Sequence, residues 1–381
     1  MKHLAFTLLA CALPAGALDS APAPSLRLLL PPVIYATPGL ETNLYFANTI
    51  LAVNPANYAF GVTCAKGSQQ EERWVFTPQA EDAGDYPFTL DIRDERNAVI
   101  ASASTVLRVV PSRTKASLRV LMVGDSLTNA SVYPAQVLAN AETDENLEVT
   151  LIGTNRPRGA ESPVRHEGYG GWTAKMFVGY WPATPPEPPR RAHSPFLYRE
   201  GDAEPVLDFP RYCREQNEGK APDVVTFFLG CNDVFSATDE TIAERAADCV
   251  QNLERLLRMV REFGPDTRVG FLLPVPPAGS QDAFGANYGC SQTRWQYLRN
   301  QRYLLEQMFA AFGGREAEGI FLLPTFTALD TVHGFPVRTA PANSRSKMEV
   351  TRLNNGVHPA ESGYQQIGDV VSAWLIYLAN R

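Results

Sequence analysis

The segment 119–126, which reads RVLMVGDS, constrains the fold of this chain more than any other part of it. Its apolar run has the length and β-branched content of a buried strand. Gly124 and Asp125 then break the run and present Ser126 at the start of the next helix. In an open parallel sheet, ligands bind at the carboxyl ends of the strands. The segment therefore predicts a serine that faces a ligand crevice, with free backbone N–H groups nearby. The simpler interpretation is a tight turn in which Asp125 or Ser126 caps a helix.

Strand and helix patterns alternate after residue 115. Strands are predicted at 118–123, 147–152, 223–229, 268–273 and 320–323, and helical spacing occurs at 239–263, 292–312 and 361–379. Alternation of this kind indicates a parallel sheet that is covered by helices on both faces.

Residues 31–111 follow a different pattern, with short alternating runs between turn residues. Such runs predict a small all-β sandwich domain, joined to the following domain by a polar hinge at 111–115. The segment 82–86 resembles the tyrosine corner of immunoglobulin-like domains, although the usual cysteine after Tyr86 is missing. We expect this sandwich to support the second domain, and carbohydrate binding is the alternative.

The first seventeen residues have the features of a secretory signal peptide. Lys2 and His3 precede a short apolar core at 4–13, and the small residues 15–17 suit cleavage. Cys11 lies in a weak lipoprotein motif, so a lipid-anchored form is a secondary possibility. No later stretch approaches the ~18 apolar residues of a membrane span. The sequence therefore predicts a secreted or periplasmic protein without a membrane span.

Charge and cysteine content limit the possible partners. The chain has 34 Lys and Arg against 41 Asp and Glu, a net charge of −7. It has no basic run of the kind that binds nucleic acid, and its acidity disfavours an anionic substrate. Five cysteines follow the signal, an odd number that leaves at least one free thiol, and their spacing matches no zinc motif: Cys64, Cys213, Cys231, Cys249 and Cys290. We expect neither a metal nor a cofactor.

A proline-rich insertion at 179–221 interrupts the α/β pattern. Its segment 181–189 contains five prolines and is incompatible with helix or central strand. Long irregular insertions are usually functional lids or disordered. The apolar residues within the insertion favour an ordered loop over the crevice.

Three further segments carry groups suited to acyl transfer. Asn232 follows the third predicted strand, His358 precedes the last helix, and a glycine-rich turn occupies 166–173. With Ser126 they provide a nucleophile, a base and donors for an oxyanion.

With these segments in order, the chain over residues 117–381 resembles the SGNH (GDSL-type) hydrolases, which are serine esterases and deacetylases. The four residues that name the family correspond to Ser126, Gly171, Asn232 and His358. The resemblance implies a three-layer α/β/α, flavodoxin-like fold. It also implies an oxyanion hole formed by the Ser126 and Gly171 backbone N–H groups and the Asn232 amide. Gly170 competes with Gly171 for that role.

One position departs from the family pattern. The family usually places an aspartate three residues before the histidine, where this chain has Asn355. An asparagine oxygen can accept the imidazole N–H but carries no charge. The third member of the triad is therefore Asn355, a backbone carbonyl or a carboxylate from elsewhere.

The glycine-rich turn most resembles the carbohydrate-esterase branches of the family. We therefore expect a secreted serine esterase that removes short acyl groups, acetyl first, from an acylated poly- or oligosaccharide. Tyr169, Trp172 and His166 are candidates for substrate contact. The alternatives are a lipase or thioesterase for longer chains, and a non-catalytic carbohydrate-binding protein with a degenerate hydrolase domain.

Overall fold

The computed structural model describes residues 26–157, 161–187 and 191–381. The predicted signal peptide at 1–17 lies outside the described residues. No helix in these ranges is both long enough and apolar enough to span a membrane.

The N-terminal part is built from strands only, apart from three short 3-10 helices at Phe46–Thr49, Pro55–Asn57 and Ala80–Asp82. Its strands are β1 (Val33–Ala36), β2 (Thr42–Tyr45), β3 (Ala59–Thr63), β4 (Ser68–Gln69), β5 (Arg73–Phe76), β6 (Gly84–Arg93) and β7 (Val99–Val109). They form two sheets, in the orders β1-β7-β6-β3 and β2-β5-β4. The pairing is antiparallel except that β1 runs parallel to β7, which an entirely antiparallel sandwich would not contain.

The two sheets share one apolar core. Period-two alternation in β6 directs Phe88 and Leu90 inward, where they meet Trp74 of β5 and Leu44 of β2. The Tyr86 hydroxyl donates to the backbone oxygen of Asp82 at 3.0 Å, as a tyrosine corner requires.

The second part contains a six-stranded parallel sheet. Its strands are β8 (Ala116–Gly124), β9 (Leu147–Ile152), β10 (Glu167–Gly168), β13 (Val224–Phe228), β14 (Arg268–Leu272) and β15 (Ile320–Leu323). β9 and β10 both pair with β8, and the order continues through β13, β14 and β15. Counting the five long strands along the chain, this is the flavodoxin-like order 2-1-3-4-5. The predicted parallel sheet is confirmed.

Helices cover both faces of this sheet. They are α1 (Ser126–Asn129), α2 (Val132–Glu142), α3 (Ala174–Gly179), α4 (Phe209–Gln216), α5 (Cys231–Val234), α6 (Ile242–Phe263), α7 (Gln281–Tyr288), α8 (Arg294–Phe312), α9 (Thr325–Ala328) and α10 (Glu361–Ala379), with a 3-10 turn at Glu316–Glu318. Alternate residues of β8 belong to different cores. Leu121 packs with α3, α6 and α8, whereas Val120 packs with α2 and α10.

The insertion at 179–221 is more regular than its composition predicts. It contains α4 and a two-stranded hairpin of β11 (Leu197–Tyr198) and β12 (Val206–Leu207). Phe196, Phe209 and Tyr212 are fully buried in the core on the α6 side. The insertion is therefore packed against the domain by aromatic side chains. A second hairpin, β16 (Val337–Pro341) with β17 (Glu349–Leu353), leads into the segment that carries His358.

Polar contacts join the N-terminal sheets to the α/β part. Arg302 of α8 is only 6% exposed, and its guanidinium donates to the backbone oxygens of Thr49 at 3.0 Å and Arg27 at 2.9 Å. It also pairs with Glu306 at 3.1 Å. The Tyr45 hydroxyl donates to Asp330 at 3.1 Å. These contacts favour a supporting role for the N-terminal sheets.

We expect the change Arg302→Ala to lower the free energy of unfolding by about 3 kcal/mol, because it removes a buried guanidinium together with its bonds to the Thr49 and Arg27 carbonyls and to Glu306. Chemical denaturation measures this loss. Arg299→Ala on the same helix is the matched control, since Arg299 makes an exposed ion pair with Asp239 and its removal should cost at most about 1 kcal/mol. Equal small losses in the two variants would show that Arg302 contributes little to joining the two parts.

Candidate active site

Ser126 lies where the central strand β8 gives way to α1. Asp125 caps this helix, accepting the Leu127 N–H at 2.9 Å, so the capping interpretation describes Asp125 correctly. Gly124 is required by close packing, because a Cβ there would overlap the Thr128 hydroxyl and lie 2.9 Å from the Phe228 oxygen. The helix start leaves Ser126 partly exposed and its own N–H free of any intrahelical bond.

His358 meets Ser126 across 232 positions of sequence. Its Nε2 lies 2.8 Å from the Ser126 Oγ, the distance of a hydrogen bond. Burial lowers the pKa of His358 below its ordinary value, which favours the neutral imidazole. The pair is therefore arranged so that a neutral histidine can take a proton from the serine.

Asn355 holds the backbone of the histidine segment. Its side-chain oxygen accepts the N–H groups of Val357 at 3.1 Å and His358 at 2.9 Å. Within the described ranges, no hydrogen-bond partner is found for Nδ1 of His358. Asn355 thus positions the loop through the main chain, and its contact is with the backbone of His358.

Asn232 lies in α5, directly after β13, which is the strand paired with β8. Its side-chain amide donates to the Trp172 carbonyl at 3.0 Å and, at the longer distance of 3.3 Å, to Asp125. These two bonds connect the three segments at 125, 172 and 232. The next residue, Asp233, accepts the Ala174 N–H at 3.1 Å and so fixes the start of α3.

The glycine-rich turn brings Gly170 and Gly171 to the surface beside these groups. Gly171 has φ of +79°, a left-handed conformation that favours glycine, whereas Gly170 does not. This conformation explains why residue 171 is a glycine, and the role of Gly171 as a donor stays a prediction. Burial raises the pKa of the neighbouring Asp125 to about 7.

His166 is fully buried, and this placement does not support the expectation that it contacts substrate. Its Nδ1 accepts the Gly168 N–H at 3.0 Å, and its Nε2 lies 2.8 Å from the Ser131 hydroxyl. With Nδ1 as acceptor, the neutral ring carries its proton on Nε2 and donates to Ser131. This second Ser–His pair therefore lacks a free base, and it fixes the turn. Burial lowers the pKa of His166 to about 4, so the ring stays neutral.

A cavity of about 1140 Å³ opens beside Gly171. Tyr169 and Trp172 both line it, with their ring centroids 4.6 Å apart and most of each ring buried. The side that belongs to the insertion includes His193, which stacks on Trp181 at 4.2 Å. No sequence motif indicates the role of His193 in this wall.

Glu167 joins several residues of this wall by hydrogen bonds. Its buried carboxylate accepts the Thr154 N–H at 2.7 Å and the Tyr212 hydroxyl at 2.7 Å, and it also bonds the Tyr169 hydroxyl. Since Tyr212 belongs to α4, this carboxylate ties the insertion to the glycine-rich turn. No sequence motif indicates this role of Glu167 in tying the insertion to the turn. The five cysteines of the described ranges form no disulfide.

A serine at a strand end, with a histidine on its hydroxyl and an asparagine amide nearby, defines a serine-hydrolase type of site. The GDSL-like lipase/acylhydrolase family model matches residues 122–366, more than half of the chain. The chain belongs to this family of SGNH ester hydrolases. A search among curated proteins found no match.

Solved structures with similarity include three esterases. A carbohydrate esterase family 3 structure from Talaromyces cellulolyticus is 17% identical, with a TM-score of 0.38, covering 69% of this chain and 98% of its own. A Clostridium thermocellum family 3 carbohydrate esterase is 15% identical, with a TM-score of 0.39 and coverages of 70% and 98%. A carbohydrate acetylesterase family member from Sinorhizobium meliloti is 16% identical, with a TM-score of 0.37 and coverages of 69% and 100%.

The lowered pKa of His358 predicts the pH dependence of the reaction. A general base must be neutral, so kcat/KM on 4-nitrophenyl acetate should fall only below about pH 6.5, the ordinary histidine value. In Asn355→Asp, a carboxylate next to His358 favours the imidazolium and raises the pKa of the histidine. The fall of kcat/KM on the acid side, the acid limb of the profile, should therefore move to higher pH.

The matched control is Asn354→Asp, which adds the same charge one residue away. It should shift the limb less than Asn355→Asp does. If kcat/KM falls at the same acidic pH in the wild type and in Asn355→Asp, residue 355 does not influence the pKa of the imidazole.

Proposed function

We propose that this protein is a secreted serine esterase that removes short acyl groups, acetyl above all, from a carbohydrate through an acyl-serine intermediate. The observation that carries the proposal is the 2.8 Å contact between Nε2 of His358 and Oγ of Ser126. The predicted signal at 1–17 supports secretion, and the likeness of the turn at 166–173 to carbohydrate-esterase branches supports the substrate class.

Acylation begins with proton transfer from Ser126 to His358 as Oγ attacks the ester carbonyl. The new C–O bond gives a tetrahedral intermediate, whose oxyanion receives the Ser126 and Gly171 N–H groups and the Asn232 amide. The imidazolium then protonates the leaving sugar oxygen, and the ester C–O bond breaks. Water, deprotonated by His358, cleaves the acyl-serine and releases the carboxylic acid.

Asn232 must exchange one partner during this step. Its bond to Asp125 is the longer of its two, and this bond is the one that the oxyanion replaces. The bond to the Trp172 carbonyl keeps the amide beside the glycine turn throughout. Asp125 is thus a positioning residue for the third donor.

The cavity wall supports a carbohydrate as the leaving group. Asn129 and Asn155 line it with polar side chains, and Tyr169 and Trp172 line it with aromatic rings. Polar groups next to aromatic rings suit a sugar, whose faces are apolar and whose edges carry hydroxyls. A long acyl chain would need a continuous apolar channel, which this mixed wall does not provide.

The nucleophile is tested by Ser126→Ala. We expect turnover of 4-nitrophenyl acetate to fall by at least about 1000-fold, because the acyl-enzyme can no longer form. The melting temperature should stay within a few degrees of the wild type, since the serine makes few packing contacts. Ser131→Ala is the matched control for the second Ser–His pair and should retain most of the activity. Turnover above a few per cent in Ser126→Ala would remove the serine from the mechanism.

The oxyanion donor is tested by Asn232→Ala, which should lower kcat by roughly 100- to 1000-fold and leave KM nearly unchanged. The acyl preference follows from the same assay with acetate, butyrate and octanoate esters, where acetate should be fastest. A fastest rate on octanoate would favour a lipase, and absence of hydrolysis of all three esters would favour a binding protein.

A further inference from the structure

The cavity beside Gly171 is locally basic, although the whole chain carries a net charge of −7. Arg156 and Arg191 line it, and no acidic side chain is among its described lining residues. We propose that this cavity binds a carboxylate-bearing sugar, a uronate, within the acylated glycan. This inference rests on the proposed esterase function and narrows its substrate class. It also runs against the expectation, drawn from net charge, that an anionic substrate is disfavoured.

Arg191 is held in place by uncharged partners. Its Nη1 donates to the Thr154 hydroxyl at 3.0 Å, and its Nε donates to the His193 carbonyl at 3.1 Å. The guanidinium lies 5.7 Å from the centre of the Tyr169 ring. These contacts fix the side chain without neutralising it. A guanidinium has five N–H donors, so three remain for a ligand.

Glu167 is the carboxylate that is connected to Arg191 through hydrogen bonds, because the Thr154 hydroxyl bonds to both side chains. It is fully buried and already receives donors from Thr154, Tyr169 and Tyr212. Its oxygens are therefore engaged below the wall. Glu167 offsets part of the positive charge of Arg191 but does not occupy the guanidinium.

Arg156 is the less restrained of the two arginines. Its side chain is exposed and makes no ion pair with any of the described residues. The backbone is fixed by a bond from the Arg156 N–H to the Asn155 side chain at 2.9 Å. Exposed arginines are common, but Arg156 lines the same cavity as Arg191 and the glycine-rich turn.

A uronate suits these groups better than other ligands do. Arginine binds carboxylates through two parallel N–H bonds, which a neutral sugar cannot reciprocate. Tyr169 and Trp172 offer aromatic surface to the sugar ring in the same cavity. The volume of about 1140 Å³ slightly exceeds the roughly 300–1000 Å³ of ordinary small-molecule sites, so more than one sugar unit fits.

The test compares acetate release from acetylated oligogalacturonide with release from its methyl ester, in which the carboxylates are masked. We expect the wild type to prefer the free acid by about tenfold in kcat/KM at low ionic strength, mainly through KM. The preference should shrink as salt is added, because screening weakens exposed charge pairs. Arg156→Gln should lower the preference about threefold, and the double variant with Arg191→Gln should abolish it.

Arg96→Gln is the matched control, because it removes the same charge at a side chain that is 85% exposed, in the turn between β6 and β7. Its preference for the free acid should equal that of the wild type. If Arg191→Gln fails to fold, Arg156→Gln alone decides, since its side chain makes no described contact. Equal rates of the wild type on both substrates, or an unchanged preference in Arg156→Gln, overturn the proposal.

Failure of the esterase function would look different. The wild type would then release no acetate from either glycan or from 4-nitrophenyl acetate. Calorimetric titration of non-acetylated trigalacturonate into the full-length protein decides the site in that case. Binding that is weakened in Arg156→Gln supports the uronate site, and absence of binding overturns it.

Discussion

The pairing of β8 with β13 at their carboxyl ends is the constraint on which the site depends. Gly124 is the register partner of Phe228, and the two strands stop there side by side. Any side chain at 124 would collide with Thr128 and with the Phe228 carbonyl, so the strands could not finish level. Because the two strands end at the same level, the segments that carry Ser126 and Asn232 begin next to each other. The strand order reverses at this pair, which is where open α/β sheets bind their ligands.

Buried carboxylates hold the loops around that point. Asp125 and Glu167 are almost completely buried, and each accepts hydrogen bonds from different segments of the chain. A buried acid without donors is costly, so the loops are stable only when all their partners are in place. Asp125 links the serine turn to Asn232, and Glu167 links the glycine turn to the insertion. The site is thus organised by groups that do not touch the reacting bond.

The sequence was informative where periodicity or a spaced motif was present. The five expected strands and three expected helices of the α/β part occur with ends within three residues of those predicted. Ser126 and His358 were paired by motif, and the structure places them in contact. The burial of His166 could not be predicted from the sequence, because a serine and a histidine can form a buried pair or an exposed one with the same local sequence. Arg156 and Arg191 belong to no motif, and only the folded insertion, which carries Arg191, places them in the wall of one cavity. The parallel pairing of β1 with β7 is non-local, and local alternation does not specify it.

The placement of the N-terminal sheets has an evolutionary consequence. They are tied to α8, α10 and the loop after α9, on the β15 side of the sheet, whereas the cavity opens beside β9 and β10 at the opposite edge. Among the described residues, none of the N-terminal strands lines the cavity. Substitutions that raise thermal stability can therefore accumulate at one edge of the sheet, while substitutions that change substrate selectivity accumulate at the other. The two traits are free to diverge separately within one folded chain.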